Sequence, residues 1–171
     1  MSLLVTSNAD DFTSMRGNCY CGLITYTMKA PPIFVNCCHC RNCQQLSGSA
    51  FAINIVIEAE NVEVTSDTQP RKIFDKDGKG AGAVRCPEDR CGTMLWASHP
   101  SFNNKIIFLR AGTLNENERI VPDAHFFVRS KHPWVTIPEE AKQFDTLGGK
   151  DDPPLWSAKS KRRVELATKQ E

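Results

Sequence analysis

No apolar run in this chain approaches the roughly 20 residues needed to cross a bilayer, and no lipidation or peroxisomal address stands at its end. The opening stretch, Met1 to Asp11, has one brief apolar run, no basic flank and two early acids, so no secretory leader is expected. An excess of charge is missing as well: 21 basic residues face 20 acidic ones, for a net charge of +1. A chain so balanced has no general positive field, which argues against nucleic acid or an anionic membrane as partner and leaves any charged ligand to a local patch. There is no internal repeat. The glycine-rich stretch Gly78-Lys-Gly-Ala-Gly82 lacks the Gly-Lys-Ser/Thr that closes a phosphate-binding loop. The expectation that remains is a cytoplasmic protein acting on a small molecule, its oligomeric state unspecified.

Helical periodicity is scarce too, and strand patterns fill the space. At 171 residues the chain should form one domain with a tail. Residues 1–14 are polar and expected to be a flexible N-terminus. Leu23 to Met28, Ile33 to Cys37, Phe51 to Ile57, Val62 to Thr65, Arg71 to Phe74, Lys105 to Ala111 and His125 to Arg129 alternate or run apolar as strands do, and Trp134 to Ile137 is a further candidate. Gly82 to Cys86 and Gly92 to Ala97 flank a turn, Pro87 to Arg90, as a hairpin-like knuckle. Gln44 to Ser49 allows at most one helical turn before Gly48. A mainly β domain over residues 15–138 is therefore expected, followed by an extension over 139–171 that is partly flexible or helical. The basic run Lys159-Ser-Lys-Arg-Arg163 in that extension reads as a solvated helix or loose end in preference to a nuclear signal or phosphate contact.

What the chain has in abundance is cysteine in close pairs. Four of its 8 cysteines fall in Cys37-Cys38-His39-Cys40-Arg41-Asn42-Cys43, with Cys19 and Cys21 upstream and Cys86 and Cys91 downstream. Cysteines one or two residues apart are badly placed to bond each other and well placed to share an ion, so zinc is expected in preference to disulfides. In extended backbone, alternate side chains share a face. Cys38 and Cys40 then point together, with Cys43 behind a tight knuckle, and Cys37 points away as a buried small hydrophobe. Cys19, Cys21, Cys86 and Cys91 make a complete set of four thiolates, which closes a tetrahedral, structural zinc site. Cys38, Cys40 and Cys43 supply only three ligands, leaving room for water or substrate as in a catalytic zinc. The competing arrangement, in which Cys37 or His39 completes that second site, makes both zincs structural.

These residues resemble the glutathione-dependent formaldehyde-activating enzyme family, which also includes centromere-protein-V-like proteins. The resemblance runs through Gly17-Asn-Cys19-Tyr-Cys21-Gly22, Cys38-His-Cys40-Arg-Asn-Cys43-Gln-Gln-Leu-Ser47-Gly48, Phe51, Cys86, Cys91-Gly92-Thr93-Met-Leu95, Gly112-Thr113-Leu114, His125-Phe126 and Lys131-His-Pro-Trp134. It implies several coiled antiparallel β-sheets joined around a structural zinc on the first and last cysteine pairs, with a second zinc on the middle trio, two per chain. Two features depart from the pattern: four residues separate Cys86 from Cys91 where the family has two, and Cys37 lies outside the usual motif.

The activity implied by the resemblance is a carbon-sulfur lyase reaction that joins glutathione and formaldehyde as S-hydroxymethylglutathione. Cys38, Cys40 and Cys43 would carry that chemistry, with His125 as the proton-handling residue. Glutathione's two carboxylates call for cations. Arg16, Arg41, Lys72, Arg110, Arg129 and Lys131 are candidates, with Arg41, Arg129 and Lys131 foremost. Two other functions stay open: the same zinc working on a different reactive carbonyl by hydrolysis, hydration or isomerisation, and a non-catalytic zinc module for interactions.

Overall fold

The computed structural model describes residues 4–74, 82–148 and 155–169. Eleven strands form two sheets among the described residues. The smaller sheet is antiparallel and places β2 (Thr25–Met28) between β1 (Met15–Asn18) and β5 (Val62–Val64). The larger one has eight strands. In spatial order they are β11 (Lys142–Phe144), β10 (Ala124–Phe126), β3 (Phe34–Cys38), β4 (Ala52–Glu58), β9 (Ile106–Arg110), β8 (Met94–Ser98), β7 (Gly82–Arg85) and β6 (Arg71–Ile73). This is the mainly β, multi-sheet architecture that the sequence implies. Its one departure from antiparallel pairing is β10, which runs parallel to both β3 and β11.

The near-continuous apolar run of β4 follows from burial on both faces of the large sheet. Ile55 and Ile57 face a core shared with Met15, Ile24, Tyr26, Met28, Leu95 and Leu109, which packs the small sheet against the large one. Val56 faces the other way, with Phe34, Ile106, Phe126 and Phe144. That second core is covered by α2 (Ala158–Lys169) through Val164 and Ala167, and by Trp156, whose ring stacks on Phe34 at 6.3 Å. Ser157 caps α2: its hydroxyl accepts the Ser160 N–H at 3.0 Å. Arg163 turns inward onto Glu58 at the end of β4, donating to both carboxylate oxygens at 2.7 and 2.6 Å. Lys159 pairs with Asp10. Two members of the basic run thus serve to fasten the helix to the domain.

Several local expectations shift. The single turn expected at Gln44–Ser49 is a two-turn helix, α1 (Arg41–Ser47), which starts earlier because Cys40 caps it and stops where Gly48 adopts φ 62°. The candidate strand at Trp134–Ile137 is not one; Lys131 Nζ donates to the Val135 carbonyl there instead, at 2.6 Å. The strand expected over His125–Arg129 ends at Phe126, beyond which Phe127 takes a left-handed conformation at φ 57° and leads into a 3-10 turn. The glycine-rich stretch up to Ala81 lies outside the described residues. No helix among the described residues is long and apolar enough to cross a membrane.

Candidate metal centres and substrate cavity

All eight cysteines are free thiols. Cys19 and Cys21 sit in a turn between β1 and β2, where Gly22 donates its N–H to the Cys19 carbonyl. Cys86 and Cys91 close the knuckle between β7 and β8. Its four-residue loop folds back through Cys91 and Gly92 N–H bonds to the Glu88 carbonyl, at 2.9 and 3.0 Å. The longer loop thus presents both thiols inward, and all four sulfurs lie within 4.8 Å of one another. A tetrahedral zinc with bonds of ~2.3 Å holds its sulfurs about 3.8 Å apart. Cys19 to Cys21 is 3.5 Å and Cys21 to Cys86 is 3.8 Å, so the donor set fits a closed tetrahedral ion.

Cys38, Cys40 and Cys43 form a second set within the same limit. Cys38 ends β3, and Cys40 caps α1 by accepting the Cys43 N–H at 3.4 Å. The Cys38 thiol donating to the Cys43 sulfur holds Cys43 down at about 5, against burial and with help from the Arg110 guanidinium. The same bond, together with burial, pushes Cys38 upward. One sulfur of the trio is therefore already thiolate-prone and faces a cation.

Arg110 is fixed by a row of polar side chains running across three strands. In register, Asn36 of β3 faces Asn54 of β4, which faces Arg110 of β9. Asn54 donates to Asn36 Oδ1 at 3.0 Å, and Arg110 Nη1 donates to Asn54 Oδ1 at 2.6 Å. Arg110 also lines a cavity of about 480 Å³, walled by Leu46, Phe51 and Met94 and carrying Arg85 as a second cation. Arg85 is held by a bond to the Gly92 carbonyl at 2.9 Å.

The other predicted cations lie elsewhere. Arg41 bonds Gln44 on α1, Arg129 is exposed beyond β10, and Lys131 donates to the His132 and Val135 carbonyls. Arg16 is exposed on β1, and Lys72 lies over the Phe74 ring. His125 faces the opposite side of β3 from the cysteine trio, with its Nδ1 3.1 Å from His39 Nε2. Burial lowers both imidazoles, His39 to about 4 with further help from the nearby His125 and Lys131 charges. Sequence reasoning missed Arg85, Asn36 and Asn54. The signal for the asparagines was present in the strand parity, which sets Asn36 on the face of Cys38 and Asn54 in the middle of an apolar strand.

The sequence model of the glutathione-dependent formaldehyde-activating enzymes matches residues 14–130, a stretch that holds both cysteine sets and the cavity. The chain belongs to this family. A crystal structure of a Rhodobacter sphaeroides protein aligns with 59% of this chain and 88% of its own length, at 17% identity and a TM-score of 0.46. No curated protein matches the chain. Membership in the glutathione-dependent formaldehyde-activating family supports a glutathione- and formaldehyde-related role, and the two cysteine sets are suited to hold metal.

Proposed function

We propose that this family member joins a glutathione thiol to an aldehyde, as in the formation of S-hydroxymethylglutathione, with zinc held by Cys38, Cys40 and Cys43. A second zinc on Cys19, Cys21, Cys86 and Cys91 would tie the β1–β2 turn to the β7–β8 knuckle. The observation that carries this reading is the adjacency of a three-thiol set to a cavity with two fixed guanidiniums, linked through Arg110.

In the reaction, sulfur bonds to the aldehyde carbon, the carbonyl π pair moves to oxygen, and the thiol proton ends on that oxygen. Nothing is oxidised or reduced. Bound zinc supplies a Lewis acid that favours thiolate and polarises a carbonyl. The rest is the work of the protein's own side chains. Arg110, held by Asn54 and Asn36, keeps positive charge where sulfur and oxygen carry negative charge. Arg85 and Arg110 match the two carboxylates of glutathione, and Leu46, Phe51 and Met94 give the cavity apolar walls. No proton step is assigned to His125, which points away from this cavity. The free thiols suit a reducing compartment, and we place the protein in the cytoplasm.

The test is exchange NMR on glutathione, formaldehyde and their adduct with zinc-loaded protein. Exchange faster than the spontaneous rate is expected. Arg110→Met should raise the glutathione KM about 10- to 100-fold, as loss of a charged hydrogen bond implies, with zinc content unchanged. Equal exchange with and without protein would refute the reading.

A further inference from the structure

The Cys-Cys-His-Cys run carries two ligand sets, one on each face of β3. Cys38 and Cys40 point to the trio already described. Cys37 and His39, two residues apart, share the other face, and β10 places His125 directly opposite Cys37 in parallel register. We propose that Cys37, His39 and His125 form a further zinc site of one thiolate and two imidazoles, independent of the catalytic reading given above.

The distances fit an ion. With zinc bonds of ~2.3 Å to sulfur and ~2.0–2.1 Å to nitrogen, tetrahedral geometry sets two imidazole nitrogens about 3.3 Å apart and sulfur and nitrogen about 3.5 Å apart. His39 Nε2 lies 3.1 Å from His125 Nδ1 and 3.7 Å from Cys37 Sγ, and all three donor atoms fall within 4.8 Å of one another. The two ring planes meet at 20°, with centroids 5.4 Å apart.

His39 is wholly buried, and its Nδ1 has no hydrogen-bond partner. Its Nε2 faces Cys37 Sγ and His125 Nδ1. An ion at this place would draw on His39 Nε2, His125 Nδ1 and the Cys37 sulfur together. The backbone holds the donors in place: His39 N–H donates to the Phe126 carbonyl at 2.9 Å, and its carbonyl accepts from the buried Gln44 side chain at 2.9 Å. Cys37 is 2% exposed, while His125 is half-buried. This gives Cys37, the cysteine outside the family pattern, a ligand role.

The experiment is metal analysis of the whole protein after zinc loading and desalting, comparing wild type, Cys37→Ser, His125→Gln and Cys40→Ser. Three zinc ions per chain are expected for wild type and two for both Cys37→Ser and His125→Gln. A Cys37→Ser/Cys40→Ser double variant should hold one. Cobalt substitution should show one fewer thiolate-to-metal charge-transfer contribution in Cys37→Ser. His125→Gln, at a half-exposed position, keeps the test valid if the buried Cys37→Ser variant fails to fold, with circular dichroism reporting the fold. Zinc content in His125→Gln equal to that of wild type overturns the proposal, whatever the total for wild type.

Discussion

Arg163→Met should cost about 3 kcal/mol of stability, the lower end of the range for breaking a buried ion pair. The guanidinium is bound on every side. Nε and Nη2 take both oxygens of Glu58, and Nη1 donates to Asn8 Oδ1 and to the Pro31 and Pro32 carbonyls at 3.2, 3.0 and 3.2 Å. The side chains of Arg163 and Glu58 are 17% and 9% exposed, so solvent screens this pair far less than a surface bridge worth at most about 1 kcal/mol. Removing the cation leaves Glu58 with its own backbone N–H and with Asn61, at 3.0 Å. Burial alone would raise the Glu58 carboxyl, but bonds from Arg163, its own backbone and Asn61 outweigh that and hold it below its ordinary 4.5. A depressed carboxyl contributes stability that is present above its unfolded value and is lost as pH falls through the folded one. The wild type should therefore lose stability on acidification below about pH 4.5, and the variant should lose less. Urea unfolding at fixed zinc concentration, repeated across pH, measures both effects. A Glu58→Gln/Arg163→Met double variant should recover part of the loss, since no charge is then left buried. A loss under 1 kcal/mol, with an unchanged pH profile, would refute the view that this pair fastens α2 to β4.

The four-cysteine set joins segments far apart in sequence, so Cys86→Ser should release one zinc per chain and lower the melting temperature more than Cys40→Ser does. Strong chelators should reproduce that drop in wild type, as read by thermal scans with and without added zinc. Gly17→Ala should be strongly destabilising although it adds one methyl, because a Cβ there collides with the Tyr26 ring and hydroxyl and comes within 2.7 Å of the Thr113 carbonyl. The Tyr26–Thr113 hydroxyl bond at 2.6 Å would break, and a cost of about 1–3 kcal/mol is expected from chemical denaturation.

Strand parity was enough, from sequence, to set Cys38 with Cys40, because alternation along an extended chain is a local property of the backbone, whereas Cys19 and Cys21 come together through a turn. The same parity separated Cys37 from Cys38. Local apolar patterning likewise placed β3, β4 and β9 and the β7–β8 knuckle to within a residue or two. The small edge strand β11 was missed because its residues, Lys142, Gln143 and Phe144, carry no alternating signal and become a strand only by adding to β10.

What the chain alone determined was therefore its ligand chemistry: which cysteines can face together, and a β framework to hold them. Only the tertiary structure decided what lies opposite each face. Parallel pairing of β10 with β3 carries His125 to Cys37 and away from the cysteine trio, and register across β3, β4 and β9 picks Arg110 out of a pool of cations that composition cannot rank. The inward turn of the basic run depends on the same order of contacts. Arg163 finds Glu58 because α2 closes the second core, and a sequence pattern records the charge of a side chain without recording which buried partner awaits it.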